Sequence, residues 1–153
     1  LPGYAGGTVK DPTYAEVSTG ATGHAECIKI VFDPTEIEYR DLLTVFFGSH
    51  DPTTLNRQGN DVGTQYRSAI FYHDEKQKET ALKSKKELEK EQVYKDKIVT
   101  EIAPFTNFYE ASDYHKDYFE RNKLEPYCNF IISPKIQKLL VRYGIDVKEE
   151  YKT

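Results

Sequence analysis

The chain has 153 residues, the size of one ordinary domain and enough for a real core, so a single domain over 1–153 is expected. At 38% hydrophobic and 30% charged it is globular in composition, and a net charge of −4 argues against a general nucleic-acid binder, whose affinity comes from neutralising phosphates with Lys and Arg. No run approaches the roughly 18 to 20 apolar residues that span a bilayer, no signal peptide is visible, and two cysteines make no secreted disulfide framework; the expectation is cytoplasmic, with no membrane partner.

There is no methionine, not even at position 1. The expectation is a processed chain, or a fragment whose start lies upstream. An opening LPGYAGG without a strand or helix before it favours the fragment.

Residues 1–22 are rich in Gly, Thr and Pro and read as loop. No Lys-Ser/Thr pair opens a helix after the glycines, which disfavours a phosphate-cradling loop. Residues 25–32, AECIKIVF, alternate as a strand: Glu26, Ile28, Ile30 and Phe32 share one face, Cys27, Lys29 and Val31 the other. A carboxylate beside two isoleucines and a phenylalanine is the sharpest local anomaly. Either Glu26 sits at an edge and reaches water, or it is desolvated, its pKa rises, and it serves as an acid near neutral pH.

In DPTEIEYRDLLTVFFGSH, Tyr39, Leu42, Leu43, Phe46 and Phe47 recur at helical spacing, and Gly48 can end the helix. Residues 50–70, HDPTTLNRQGNDVGTQYRSAI, cannot be helix or strand along most of their length. A loop this long inside a compact domain is usually functional or disordered, and this one lacks the composition of disorder. It is dense in groups that hold definite geometry: His50, Asp51, Asn56, Arg57, Gln58, Asn60, Asp61, Gln65, Tyr66 and Arg67. It reads either as a solvated loop tied down by Asx-turns, or as a site presenting Asp61 and Tyr66 at the mouth of a strand, SAIFY.

Asp74 caps a long helix to about Gln92, with Gln77 completing a capping box and Ala81, Leu82 and Leu88 as a thin apolar stripe. The Lys and Glu of that helix form a solvated face. KIVTEI, residues 97–102, is another alternating strand, ended by Pro104. Phe105 and Phe108 lead into a helix over about 112–121; residues 124–132 hold Cys128 and a short apolar run. Ser133 and Pro134 open the last helix and Gly144 stops it. Three strands interleaved with helices indicate a mixed α/β or α+β domain, with one sheet and helices packed on it.

HDPTTLNRQGNDVGTQYRSAIF resembles the signature loop of the A-type peptide methionine sulfoxide reductases. GYAGGTVKDPTYAEV over 3–17, TGHAE over 22–26 and EIAPFTNFYEASDYHKDYF over 101–119 resemble further stretches in the family's order, so the similarity runs from about residue 3 to about residue 138. One part is missing: nothing resembles the GCFW segment that carries the family's nucleophilic cysteine, which is therefore expected to be absent from this chain. The resemblance implies a two-layer, ferredoxin-like core with long coil segments, its first strand and helix preceding Leu1. It also implies reduction of methionine S-sulfoxide, free or in oxidised proteins, in repair of oxidative damage. That reaction runs through a cysteine sulfenic acid and a disulfide, which thioredoxin or another dithiol reduces, with no bound cofactor and no metal.

Carried over by motif, Glu26 of TGHAE matches the proton donor. Tyr14 of PTY and Tyr66 of GTQYRS match the phenols that hydrogen-bond the sulfoxide oxygen. Asp61 of GND matches the carboxylate that helps bind and orient substrate. Cys128 in PYCNF is either a resolving cysteine or an inert buried thiol, and the chain departs from members with a glycine-rich tail and an additional recycling cysteine. Cys27 points to the opposite strand face from Glu26 and reads as structural. Two rival readings stand beside these. One is a metal hydrolase using His24, Glu26, His50, Asp51 and Asp61, although no HExxH or CxxC spacing organises them. The other is a catalytically dead module that only binds methionine sulfoxide.

Overall fold

Four residues of the LPGYAGG opening, Pro2–Ala5, are a strand and not a loop. The structure, a computed structural model, describes residues 1–111 together with Pro134, Gln137, Lys138 and Val141. In chain order its elements are β1 (Pro2–Ala5), α1 (Tyr14–Ser18), β2 (Ala25–Ile28), α2 (Tyr39–Ser49), β3 (Arg57–Gln58), β4 (Asp61–Val62), a 3-10 turn (Thr64–Tyr66), β5 (Ala69–Tyr72), α3 (Glu75–Lys90), β6 (Glu101–Pro104) and β7 (Phe108–Glu110). All four residues of β1 are buried, and the strand lies between β2 and β7, antiparallel to both. Gly3 is there for clearance: a Cβ on it would stand 2.4 Å from the Tyr109 carbonyl oxygen and 2.5 Å from the Phe108 ring. Glycine within a strand often marks such a close approach, which composition alone does not distinguish from a turn.

The strand expected over 25–32 is shorter. Past Ile28 Lys29 alone continues the pairing, its N–H donating to the Leu1 carbonyl at 2.8 Å and its carbonyl accepting from the Leu1 amino group at 2.9 Å, and Phe32 leaves to stack on Tyr39 with centroids 6.2 Å apart. α2 begins on a reciprocal cap in which Asp41 accepts from the Glu38 N–H at 3.1 Å. It runs through Gly48, which is buried inside the helix and does not end it. Within 50–70, β3 and β4 form a small hairpin around Gly59 and Asn60, pairing Gln58 with Asp61.

β5 and β6 pair in parallel, Ile70 opposite Ile102, and α3 makes the crossover that a parallel pair requires. The strand expected at 97–102 starts four residues later, at Glu101, because the Val99 N–H donates instead to the Pro52 carbonyl at 2.8 Å. Pro104 is the last residue of β6, where its missing N–H does no harm, and the Phe105 N–H resumes pairing with the Tyr72 carbonyl at 2.9 Å. Asp74 caps α3 as expected, accepting from the Gln77 N–H at 2.8 Å. The return bond falls one residue earlier than a capping box requires, with Gln77 accepting from the His73 N–H at 2.8 Å.

Leu43, Phe47, Ile70, Ala81 and Ile98 form the main core, where α2 and α3 pack on each other and α3 covers the β5–β6 pair. Leu82 is 46% exposed and lies outside the apolar stripe. The described residues thus make a mixed α/β fold of three helices and small sheets. Their strands group into three sheets and not one. The helix expected over 112–121, the run at 124–132 and Cys128 lie outside the described residues. Of the last expected helix, Pro134, Gln137, Lys138 and Val141 are helical. Among the described residues no helix is long and apolar enough to cross a membrane.

Candidate active site

Register decides which groups share a face. Directly opposed residues of an antiparallel pair point the same way, so Tyr4, Glu26 and Tyr109 stand on one face of the β2–β1–β7 sheet. Gly3, Cys27 and Glu110 stand on the other. Glu26 is half-buried. α1 covers its face of the sheet, with Val17 packed against Tyr4 and Ala111.

Tyr14 is the first residue of α1, and the helix starts there because Thr13 and Glu16 close a capping box. The Thr13 hydroxyl accepts from the Glu16 N–H at 3.1 Å, and the Glu16 carboxylate accepts from the Thr13 N–H at 3.0 Å. The Thr-x-x-Glu spacing is the signal in 1–22 that marks this helix, against the loop expected there.

Tyr66 ends the 3-10 turn, which packs against β2. Three side-chain bonds lock the turn in place. Gln65 Nε2 donates to the Ser18 carbonyl at the end of α1, at 3.1 Å. Thr64 Oγ1 donates to the Gly20 carbonyl at 3.4 Å. Arg67 Nη2 donates to the Gly23 carbonyl, just ahead of β2, at 3.0 Å. The turn bearing Tyr66 is thereby bonded to the helix bearing Tyr14 and packed against the strand bearing Glu26. Asp61 stands on the adjoining hairpin, exposed, in a loop closed by the Gly63 N–H donating to the Asn56 carbonyl at 2.8 Å.

A second set of bonds stitches the GYAGGTV stretch beneath this face. His24, 1% exposed, accepts from the Gly7 N–H at Nδ1, so its proton is on Nε2, which donates to the Val9 carbonyl at 2.7 Å. Asn107 clasps the same glycines: Oδ1 accepts from the Gly6 N–H at 3.1 Å and Nδ2 donates to the Gly7 carbonyl at 2.9 Å. Nothing in the sequence around Asn107 announces this role.

His50 belongs to a different network. Its Nδ1–H donates to the Phe46 carbonyl at 2.6 Å, leaving Nε2 to accept from the Ser68 hydroxyl at 2.7 Å. Ser68 in turn accepts from Thr100 at 2.8 Å. Burial pushes the His50 imidazole below its ordinary pKa. Asp51 caps its own loop, Oδ1 accepting from the Thr53 N–H and hydroxyl at 2.9 and 2.5 Å. The histidines and acids of the metal-hydrolase reading are therefore spread over separate networks, and among the described residues no three His, Cys, Asp or Glu side chains are grouped to hold an ion.

Cys27 is only partly covered as a residue, yet its thiol is buried and lies 3.7 Å from the Gly3 carbonyl. Burial pushes that thiol up to about 12, and the nearby Arg67 charge only partly opposes the shift. A thiol so protonated is a poor nucleophile at neutral pH, and it faces away from Glu26.

The sequence profile of the peptide methionine sulfoxide reductase family matches residues 1–146. The peptide methionine sulfoxide reductase MsrA of Saccharolobus solfataricus is 53% identical over 147 residues, covering 96% of this chain and 82% of that protein. Its counterpart in Sulfolobus acidocaldarius is 54% identical over 142 residues, covering 93% of this chain and 80% of that one. Among solved structures, the reduced form of Mxr1 from Saccharomyces cerevisiae superposes with a TM-score of 0.71 at 36% identity, covering 88% of this chain and 74% of that one. Methionine sulfoxide reductase A of Corynebacterium diphtheriae gives 0.65 at 37%, covering 79% and 62%. A match over nearly the whole chain, at this identity and with the same fold, means that the chain belongs to the peptide methionine sulfoxide reductase family.

Proposed function

We propose that the protein reduces methionine S-sulfoxide, free or in oxidised proteins, to methionine. The observation that carries this reading is that the turn bearing Tyr66 is bonded to the helix bearing Tyr14 and packed against the strand bearing Glu26. In the reaction a thiolate attacks the sulfoxide sulfur while the Glu26 carboxyl gives its proton to the departing oxygen. The oxygen passes to the cysteine, which becomes a sulfenic acid; methionine leaves as the sulfide and Glu26 is left as carboxylate. Tyr14 and Tyr66 donate hydrogen bonds to the sulfoxide oxygen, and Asp61 helps orient the substrate.

Cys27 is not that thiolate, being buried and on the far face. The sulfenic acid then condenses with a second thiol, for which Cys128 is the candidate, releasing water and forming a disulfide. Thioredoxin, or a small dithiol in its place, reduces that disulfide by exchange and is itself oxidised. This chemistry belongs in a reducing compartment, the cytoplasm, and needs no bound cofactor. One domain over 1–153, with the family's two-layer ferredoxin-like core, goes with the same reading.

The test is Glu26→Gln in the natural protein, assayed on the S-epimer of a methyl sulfoxide with dithiothreitol. The rate should fall by about 100- to 10,000-fold, the usual worth of one general acid, with the melting temperature little changed. A variant that keeps most of its rate at neutral pH would remove Glu26 from the mechanism.

A further inference from the structure

Tyr66 ends a turn only three residues long, which has no helix or strand of its own to hold a phenol in place. Its two chain neighbours supply the constraint. On one side Gln65, 5% exposed, donates from Nε2 to the carbonyl of Ser18, the last residue of the helix that Tyr14 begins. The last carbonyls of a helix have no partner within it, and the Gln65 amide fills one of them. Gln65 is itself confined: a Cβ on Gly63, whose φ is +150°, would stand 2.2 Å from Gln65 Oε1.

On the other side Arg67, with a side chain 15% exposed, spreads its flat fork over its own turn, the loop ahead of β2 and β6. Nη1 returns to the Thr64 carbonyl inside the turn at 2.9 Å. Nη2 reaches the Gly23 carbonyl, three residues ahead of Glu26, at 3.0 Å. Nε meets the Glu101 carboxylate on β6 at 2.9 Å. Every acceptor but one is a main-chain carbonyl, so what these two side chains fix is the path of the backbone.

We propose that Gln65 and Arg67 are positioning residues of the sulfoxide site: Gln65 sets the spacing between the Tyr14 and Tyr66 phenols, and Arg67 sets Tyr66 relative to Glu26. The inference rests on the roles given above to those three residues. Neither Gln65 nor Arg67 touches the reacting atoms. Their effect is exerted through the phenols, where a displacement of about 1 Å costs up to about 100-fold in rate.

The experiment measures kcat/KM of the natural protein on the S-epimer of N-acetylmethionine sulfoxide, with dithiothreitol as reductant. Gln65→Met keeps the side chain's shape, removes the Nε2 donor to Ser18 and also removes Oε1, a buried oxygen without a hydrogen-bond partner among the described residues, so it should fold. Arg67→Lys keeps the charge and loses the fork. Each should lower kcat/KM by about 10- to 100-fold in the native background. In a Tyr14→Phe/Tyr66→Phe background each should cost about threefold or less, because no phenol is left to position. Losses of equal size in both backgrounds would overturn the proposal and make the two residues structural. A Tyr14→Phe/Tyr66→Phe protein with undiminished activity would instead overturn the functional reading beneath it.

Discussion

His50 shows how one buried side chain makes the fold sensitive to acid. Its imidazole is held neutral between the Phe46 carbonyl and the Ser68 hydroxyl, and burial keeps its pKa below the ordinary 6.5. The unfolded chain therefore takes up this proton at higher pH than the folded one, and stability rises with pH through the interval between the two values. The contribution is complete above about pH 6.5 and is lost as pH falls through the folded pKa. Thermal melts of the chain between about pH 7.5 and pH 5 should show the melting temperature dropping with acid, and His50→Gln should flatten that drop. A slope unchanged by the substitution would move the acid sensitivity to other groups. In the sequence His50 is legible as a residue of definite geometry but not as a member of this chain of bonds, since Ser68 and Thr100 are supplied by two other segments.

Among the elements, α2 and α3 are legible because their apolar spacing and the Asp74 cap are local properties. β1 and β7 are not, because each is a strand only through its partners. β1 is read as loop for its glycines, and β7 hides behind Phe105 and Phe108, which lead toward an expected helix. The Gly3 position ties the two together. Gly3→Ala would push a methyl to within 2.4 Å of the Tyr109 carbonyl, forcing β7 off β1 at a cost of about 1–3 kcal/mol. Amide exchange provides the check. The Ala111 N–H, which donates to the Pro2 carbonyl at 3.0 Å, should exchange faster in the variant, while amides of α2 and β5 keep their protection. Equal protection at Ala111 in both proteins would show that the sheet absorbs the methyl without separating.

At the scale of the whole molecule, the site groups and the chemistry separate. The motifs single out Tyr14, Glu26 and Tyr66, and the structure ties their elements together; the bonds from Gln65, Arg67 and Asn107 that hold those elements are not legible, since each joins distant segments. Cys27 should not be the thiolate that attacks the sulfoxide, because its thiol is pushed up to about 12 and turned from Glu26, so Cys27→Ser should leave the reduction of a methyl sulfoxide by dithiothreitol unchanged. Sulfide measured by chromatography tests this. Turnover above the dithiothreitol blank that vanishes in Cys27→Ser would make Cys27 the nucleophile.

The central place of β1 also sets a timetable. One edge is closed early, by β2, but the other waits for β7, and the Asn107 clasp on Gly6 and Gly7 spans 101 and 100 residues of chain. A ribosome adding about 5 to 20 residues per second needs roughly 5 to 20 seconds to deliver that stretch. Throughout that interval the nascent chain carries a strand with one row of N–H and C=O groups unpaired, a template for any other strand that arrives first. Contacts this remote in sequence also form late once the chain is released, since the loop must close before they repay it. The newborn chain thus passes through a stage at which its greatest hazard is a second copy of itself emerging nearby, and that stage ends only when residues near 110 reach the strand near the start.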